Sequence, residues 1–166
     1  MEHLKVSFRT ERGVVQAVDD VSFALRRGEV LAIVGESGSG KSVSAMTLMG
    51  LTRSANATIG GSARLADGTE LVTASDADLQ HVRGSRIAMI FQDPMSALTP
   101  VYRVGDQIAE QVRVHDKVSK SAARARAVEL LERVGIPRAA ERSRAYPHQF
   151  SGGMRQRVMI AMALSC

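Results

Sequence analysis

Two stretches of this sequence have residue types and spacing suited to holding phosphate. The first is GESGSGKS at 35–42, which fits G-x-x-x-x-G-K-[ST]. Gly35, Gly38 and Gly40 allow backbone conformations closed to other residues and let N–H groups approach phosphate oxygens. Glu36, Ser37 and Ser39 complete the loop, the two serines keeping it small. Lys41 is placed to reach β- and γ-phosphates as a point charge, and the Ser42 hydroxyl suits Mg²⁺ bridging the same two phosphates. The second stretch is FSGGMRQRVMIAMAL at 150–164. Ser151 stands as an N-cap there, and Gly152 and Gly153 expose backbone donors at a second helix start that can receive an anion.

The first motif has chemical meaning only between a strand and a helix. VLAIV at 30–34 is a short apolar run rich in β-branched residues and reads as a buried parallel strand. SVSAMTLMGL, closing at Gly50, reads as a helix of about ten residues. Ahead of them, Leu4, Val6 and Phe8 alternate with polar residues, as do Val21, Phe23 and Leu25, which predicts two antiparallel strands joined by TERG. The Asp67-Gly68 pair predicts a hairpin within 57–75, followed by a short helix opened by Ser75 or Asp76. RIAMIF at 86–91 is a second buried-strand candidate. Beyond 104 the chain turns helical: VGDQIAEQVRV, then SKSAARARAVELLERVG, then a segment from about 152 on which Met154, Val158, Ala161, Met162 and Ser165 share a face.

A chain of 166 residues with 45% hydrophobic and 23% charged residues suffices for one ordinary core, or part of a larger one. No run approaches the roughly 20 apolar residues of a membrane span, and the start lacks the layout of a signal peptide, so a non-spanning cytosolic chain is expected. The only cysteine, Cys166, excludes an internal disulfide, and the four histidines have no metal-ligand spacing. The net charge of +5 favours anionic partners, much of it lying in the helical stretch 113–144. With 4% aromatic residues, stacking on single-stranded nucleic acid is not expected.

The run at 150–164 resembles the signature motif of ABC-type ATPases, and the chain as a whole resembles the nucleotide-binding subunit of an ABC transporter. The fold implied is α/β: a partial P-loop NTPase core with an antiparallel β region in 1–92, and a helical subdomain with the signature helix in 93–166. Phe8 matches the aromatic that stacks on adenine, and Gln92 matches the Q-loop glutamine, which in the family contacts Mg²⁺ and the attacking water and faces the transmembrane partner. Val43 stands where many relatives carry a threonine whose hydroxyl helps hold the α-phosphate, so one hydrogen bond of roughly 1.5–3 kcal/mol is missing. The resemblance further implies ATP and Mg²⁺ as ligands and a second ATPase subunit paired head to tail, with Ser151, Gly152 and Gly153 closing over the γ-phosphate on the partner's P-loop. Transmembrane permease subunits at the cytoplasmic face of the membrane follow from the same likeness, and nucleic acid does not.

GESGSGKSVSAMTLMGL, FQDPMSALTPVYRVGDQIAEQ and YPHQFSGGMRQRVMIAMALSC look in particular like the ATPases of oligopeptide, dipeptide and nickel importers, with Thr99 in place of the more usual asparagine. ATP-driven import of peptides or a related small solute is therefore the expected function. The alternatives are an ABC-class ATPase acting on DNA or ribosomes, and a binding fragment that does not hydrolyse ATP. In the family the Walker B aspartate, the catalytic glutamate, the D-loop and a γ-phosphate-sensing histidine follow the signature helix, and these 166 residues contain no counterpart. The expectation for these residues alone is therefore marginal stability and no hydrolysis. His148 reads as a turn residue beside Pro147, and Arg155 and Arg157 as solvent-facing charges.

Overall fold

Alternating apolar residues at the start of the chain pair as expected. In the computed structural model, which describes residues 1–93 and 97–165, β1 (Glu2–Thr10) and β2 (Gly13–Val21) are antiparallel. β3 (Ala57–Ser62) joins the other edge of β1, giving the order β2-β1-β3. Leu4 and Val6 are fully buried and cluster with Val18, while Phe8, Val43 and Ile59 pack against them from partly buried positions. β2 stops at Val21, short of the predicted alternation through Leu25. Phe23 instead exchanges two backbone hydrogen bonds with Met1, at 3.0 and 2.9 Å.

The chain divides into two compact units, Met1–His81 and Val82–Cys166. In the first, α1 (Lys41–Leu48) follows the glycine loop and ends at Gly50, whose φ of 67° and bond from its N–H to the Thr47 carbonyl close the helix. The predicted hairpin forms about Asp67-Gly68, with Arg64 bridging Glu70, and α2 (Asp76–Val82) opens with a reciprocal cap. Ser75 Oγ accepts from the Asp78 N–H at 3.1 Å, and Asp78 Oδ2 accepts from the Ser75 N–H at 3.3 Å.

The second unit is helical. It contains α3 (Val104–His115), α4 (Lys120–Arg133), the short α5 (Ala139–Arg142), a 3₁₀ turn (Pro147–Gln149) and α6 (Gly152–Ala163). Their apolar faces form one cluster around Ile108, Val112, Leu130, Leu131, Phe150 and Val158. Val158 and Ala161 are fully buried on α6, with Met154 and Met162 packed beside the same cluster, as the periodicity predicts.

The two buried strands expected at 30–34 and 86–91 are not observed. Residues 30–34 take no place in a ladder, and Val30 and Val34 are 97% and 88% exposed. Residues 86–91 form only the single parallel bridge between Arg83 and Ile87, leaving Ile90 and Phe91 exposed. β-branched composition favours a strand only where a neighbour accepts its N–H and C=O groups, and among the described residues neither run has one. No helix of the described residues is long and apolar enough to cross a membrane.

Candidate functional site

The glycine loop is shaped by backbone geometry that its sequence permits. Gly38 and Gly40 hold φ of 84° and 86°, the left-handed region, and Gly40 also touches β2. A Cβ at Gly40 would collide with the Ala17 carbonyl oxygen, and one at Gly35 would sit 2.7 Å from Ser39 Oγ. Gly40 is the N-cap of α1 and offers no side chain to the first helical N–H groups, which leaves those donors for a ligand.

Lys41 closes the loop on itself. Its Nζ donates to the carbonyls of Gly35 at 2.7 Å and Glu36 at 2.6 Å and to Ser39 Oγ at 3.1 Å. The ammonium is thereby fixed at the mouth of the loop beside the helix start. Ser42 is exposed at the same end, its hydroxyl open to solvent, while Ser37 lies on the exposed outer side of the loop. Val43 points the other way, partly buried against Leu4, Val6 and Val18, so its side chain anchors α1 to the sheet. Phe8 is partly buried on the face of β1 that carries Leu4 and Val6.

In the second unit Ser151 caps α6: its Oγ accepts from the Met154 N–H at 3.3 Å and keeps its own proton to donate. Gly152 and Gly153 are exposed, with open space where a side chain would stand. Two arginines that sequence reading leaves in solvent are tethered. The Arg155 guanidinium donates from Nε to the Pro147 carbonyl at 2.9 Å, and Arg157 to the Gly135 carbonyl at 2.9 Å. The reason is local: the Pro147 carbonyl, which also accepts from the Phe150 N–H at 3.2 Å, and the Gly135 carbonyl just past the end of α4 both lie within reach of a long guanidinium. The turn itself is boxed by Tyr146 and Gln149, with the His148 ring stacked on Tyr146 at 5.8 Å.

Gln92 is exposed on irregular backbone of the second unit, while Pro94–Ser96 of its flank and Cys166 lie outside the described residues. The loop and Phe8 thus lie in the first unit, and Gln92 and the α6 start in the second. Gln107 was not singled out from sequence. It is 7% exposed and bonds the Thr99 N–H and carbonyl and the Tyr102 carbonyl, pinning the chain that leads into α3. Its signal is a polar residue on a helix stripe otherwise held by Val104, Ile108 and Val112. Among the described residues no cluster of three or more His, Cys, Asp or Glu side chains could hold a metal.

Comparison with known proteins places this geometry. The sequence profile of the ABC transporter family matches residues 18–166. The oligopeptide transport ATP-binding protein OppD of Bacillus subtilis is 52% identical over 99% of this chain and 46% of its own length. The dipeptide transport ATP-binding protein DppD of the same organism is 51% identical over 100% of this chain and 50% of its own. OppD of Mycobacterium tuberculosis is 55% identical over 98% of the chain and 26% of its own length. The chain therefore spans about half the length of the first two relatives. Among solved structures, a dimeric bacterial ABC transporter cassette superposes with a TM-score of 0.84 at 24% identity, covering 99% of this chain and 68% of the other, and so supports the fold. A glycine loop ahead of α1, a capped SGG start on α6 and identity of about half along the whole chain have one reading: this chain belongs to the ABC transporter family, as an ATP-binding domain similar to those of oligopeptide and dipeptide transporters.

Proposed function

We propose that residues 35–43 bind ATP with Mg²⁺ and that the chain serves as the ATP-binding subunit of a peptide importer at the cytoplasmic face of the membrane. The observation that carries this reading is the Lys41 ammonium, held by three loop oxygens at the uncapped start of α1. The loop fits a phosphate: its glycines leave space that a Cβ would fill, and its cation and helix start have the right sign. Ser42 and Gln92 are oxygen donors of the kind Mg²⁺ accepts, and Phe8 is the candidate to stack on the base. Bound Mg²⁺ would neutralise charge on the β- and γ-phosphates. Residues 1–92 supply the nucleotide-binding core, with Gln92 facing the permease, and 93–166 the helical subdomain with the signature helix.

Two helix starts suited to anions in one chain support head-to-tail pairing with a second ATPase subunit, where Ser151, Gly152 and Gly153 complete the partner's site. Nucleotide titration tests the proposal. Lys41→Ala is expected to weaken MgATP binding far more than Arg155→Ala, because a cation enclosed by phosphates is lost in one case and a brace on a turn in the other. Equal losses would remove the assignment of the loop.

A further inference from the structure

The helical unit carries a basic recess away from the glycine loop and the α6 start. A cavity of about 440 Å³ lies among α3, α4 and α5, and three arginines, Arg103, Arg124 and Arg144, are among the residues that line it. A second cavity of about 250 Å³ adjoins it, lined by Arg113, Lys120 and Glu110. Asp106 and Arg124 line both. Their ion pair, with Asp106 Oδ1 accepting from Arg124 Nη2 at 2.8 Å and Nε at 3.1 Å, is the wall between the two.

That wall satisfies one cation and leaves four others. Arg103 and Arg144 in the larger cavity and Arg113 and Lys120 in the smaller have no side-chain hydrogen bond or ion pair among the described residues. Glu110 is the one other carboxylate lining either cavity. Like charges lining one recess repel, and a bound anion relieves that repulsion. The larger cavity is also preformed. The Val104 N–H donates to the Ala145 carbonyl at 2.9 Å and the Gly105 N–H to the Ser143 carbonyl at 2.8 Å, and a Cβ on Gly105 would stand 2.7 Å from Ser143 Cβ. These bonds occupy the first amides of α3, so recognition falls to the side chains.

We infer that this double recess binds a small organic molecule carrying two phosphate groups, one in each lobe, spanning the Asp106–Arg124 pair. Two phosphate monoesters carry about −3 to −4 in charge at neutral pH, which matches the four unpaired cations less the one Glu110 carboxylate. The planar guanidinium fork suits phosphate oxygens, and Val128, Ala125 and Ala140 supply a small apolar wall for the organic spacer. The absence of an aromatic side chain from either lining argues against nucleic acid. The inference does not depend on ATP binding at the loop.

The test is an amide NMR titration of the chain in a Lys41→Ala background, so that the loop does not compete, with fructose 1,6-bisphosphate as the probe and inorganic phosphate as the comparison. Saturable shifts are expected at the Gly105, Ala140 and Ser143 amides, with the bisphosphate binding at least tenfold tighter than inorganic phosphate. Arg103→Gln with Arg144→Gln is expected to weaken both probes tenfold or more. Arg113→Gln with Lys120→Gln is expected to weaken the bisphosphate and leave inorganic phosphate unchanged. Three results overturn the inference: no shift at those amides with millimolar bisphosphate, equal affinity for the two probes, or a hexaglutamate peptide binding the same amides more tightly than the bisphosphate. All three are read on the protein with both arginines intact, so they decide the matter even if a variant fails to fold.

Discussion

The two helix starts suited to phosphate are built in opposite ways. The start of α1 is preceded by glycines at positive φ and has no side-chain cap, while the Lys41 ammonium is held in place by the loop's own oxygens. The start of α6 is capped by Ser151 in extended conformation, and its cations, Arg155 and Arg157, face backward onto protein carbonyls. The first therefore offers open donors and a poised charge. The second offers exposed glycine amides and a hydroxyl with no charge directed at the ligand. On the proposed reading, the first is expected to hold an anion by itself, whereas the second is expected to add affinity only where another site already holds the phosphate.

The largest effect that can break this contrast is on nucleotide binding. Lys41→Ala is expected to lower MgATP affinity by roughly 10- to 150-fold, the equivalent of 1.5–3 kcal/mol for a hydrogen bond to a charged group. Ser151→Ala in the same unpaired chain is expected to change it less than twofold. A calorimetric titration in which Ser151→Ala matched Lys41→Ala would show that the α6 start binds nucleotide unaided.

Gly40→Ala sharpens the contrast from the side of the backbone. A Cβ there meets the Ala17 carbonyl, and φ is 86°, so strain of about 1–2 kcal/mol is expected before any contact is counted. That lowers Tm by roughly 2–8 °C in a chain of this length. Gly152→Ala, with open space at its Cβ, is expected to leave Tm within about 1 °C, since surface changes of this kind are near neutral. Thermal melts of the two variants side by side check the pair.

The brace on the α6 start gives a smaller effect. Arg155→Ala removes one of the two donors to the Pro147 carbonyl, leaving the Phe150 N–H, and is expected to reduce stability by about 0.5–1.5 kcal/mol while leaving MgATP affinity unchanged. Hydrogen exchange at the Ser151 and Gly152 amides should quicken in the variant. Unchanged exchange there would mean that Tyr146 and Gln149 hold the turn without Arg155.

Local signals explain what sequence made legible here. The glycine loop, the Ser75 and Ser151 caps, the Asp67-Gly68 turn and the apolar stripe of α6 each depend on residues within a few positions of one another, and each is observed where the sequence places it. The failures are non-local. VLAIV has strand composition, but a strand exists only with a partner, and none among the described residues pairs with it. Arg155 looked solvent-facing because the carbonyl it reaches belongs to a turn eight residues earlier. The role of Gln107 is invisible to periodicity because the three backbone groups it bonds lie in irregular backbone.

An effect of comparable size, about 1 kcal/mol, concerns how each of the two units is held. A broad apolar cluster supports the second, whereas the first leans on carboxylates that accept several donors. Partial burial pushes the Glu70 carboxyl up, but donors from Ser62, Ala63, Val72 and Arg64 outweigh it and bring it down to about 2. Asp20 and Asp78, in the same unit, are also held below the ordinary value, mainly by hydrogen bonds from His3 and from Ser75 respectively. A carboxylate lowered on folding contributes its full stability above the unfolded value of 4.5 and loses it as pH falls toward 2. Acid should therefore loosen Met1–His81 before Val82–Cys166. Glu70→Gln is expected to lower Tm near neutral pH by roughly 2–4 °C, for a loss of about 1 kcal/mol, and the difference from the unsubstituted chain should shrink as pH drops through that window. Both tyrosines, Tyr102 and Tyr146, lie in the second unit, so their fluorescence reports on it alone, while the Ala63 and Val72 amide signals report on the first. The amide signals should be lost at a higher pH than the tyrosine signal changes. Coincident transitions, or a Glu70→Gln deficit that stays constant to pH 2, would mean that the carboxylate network does not set the acid stability of the first unit.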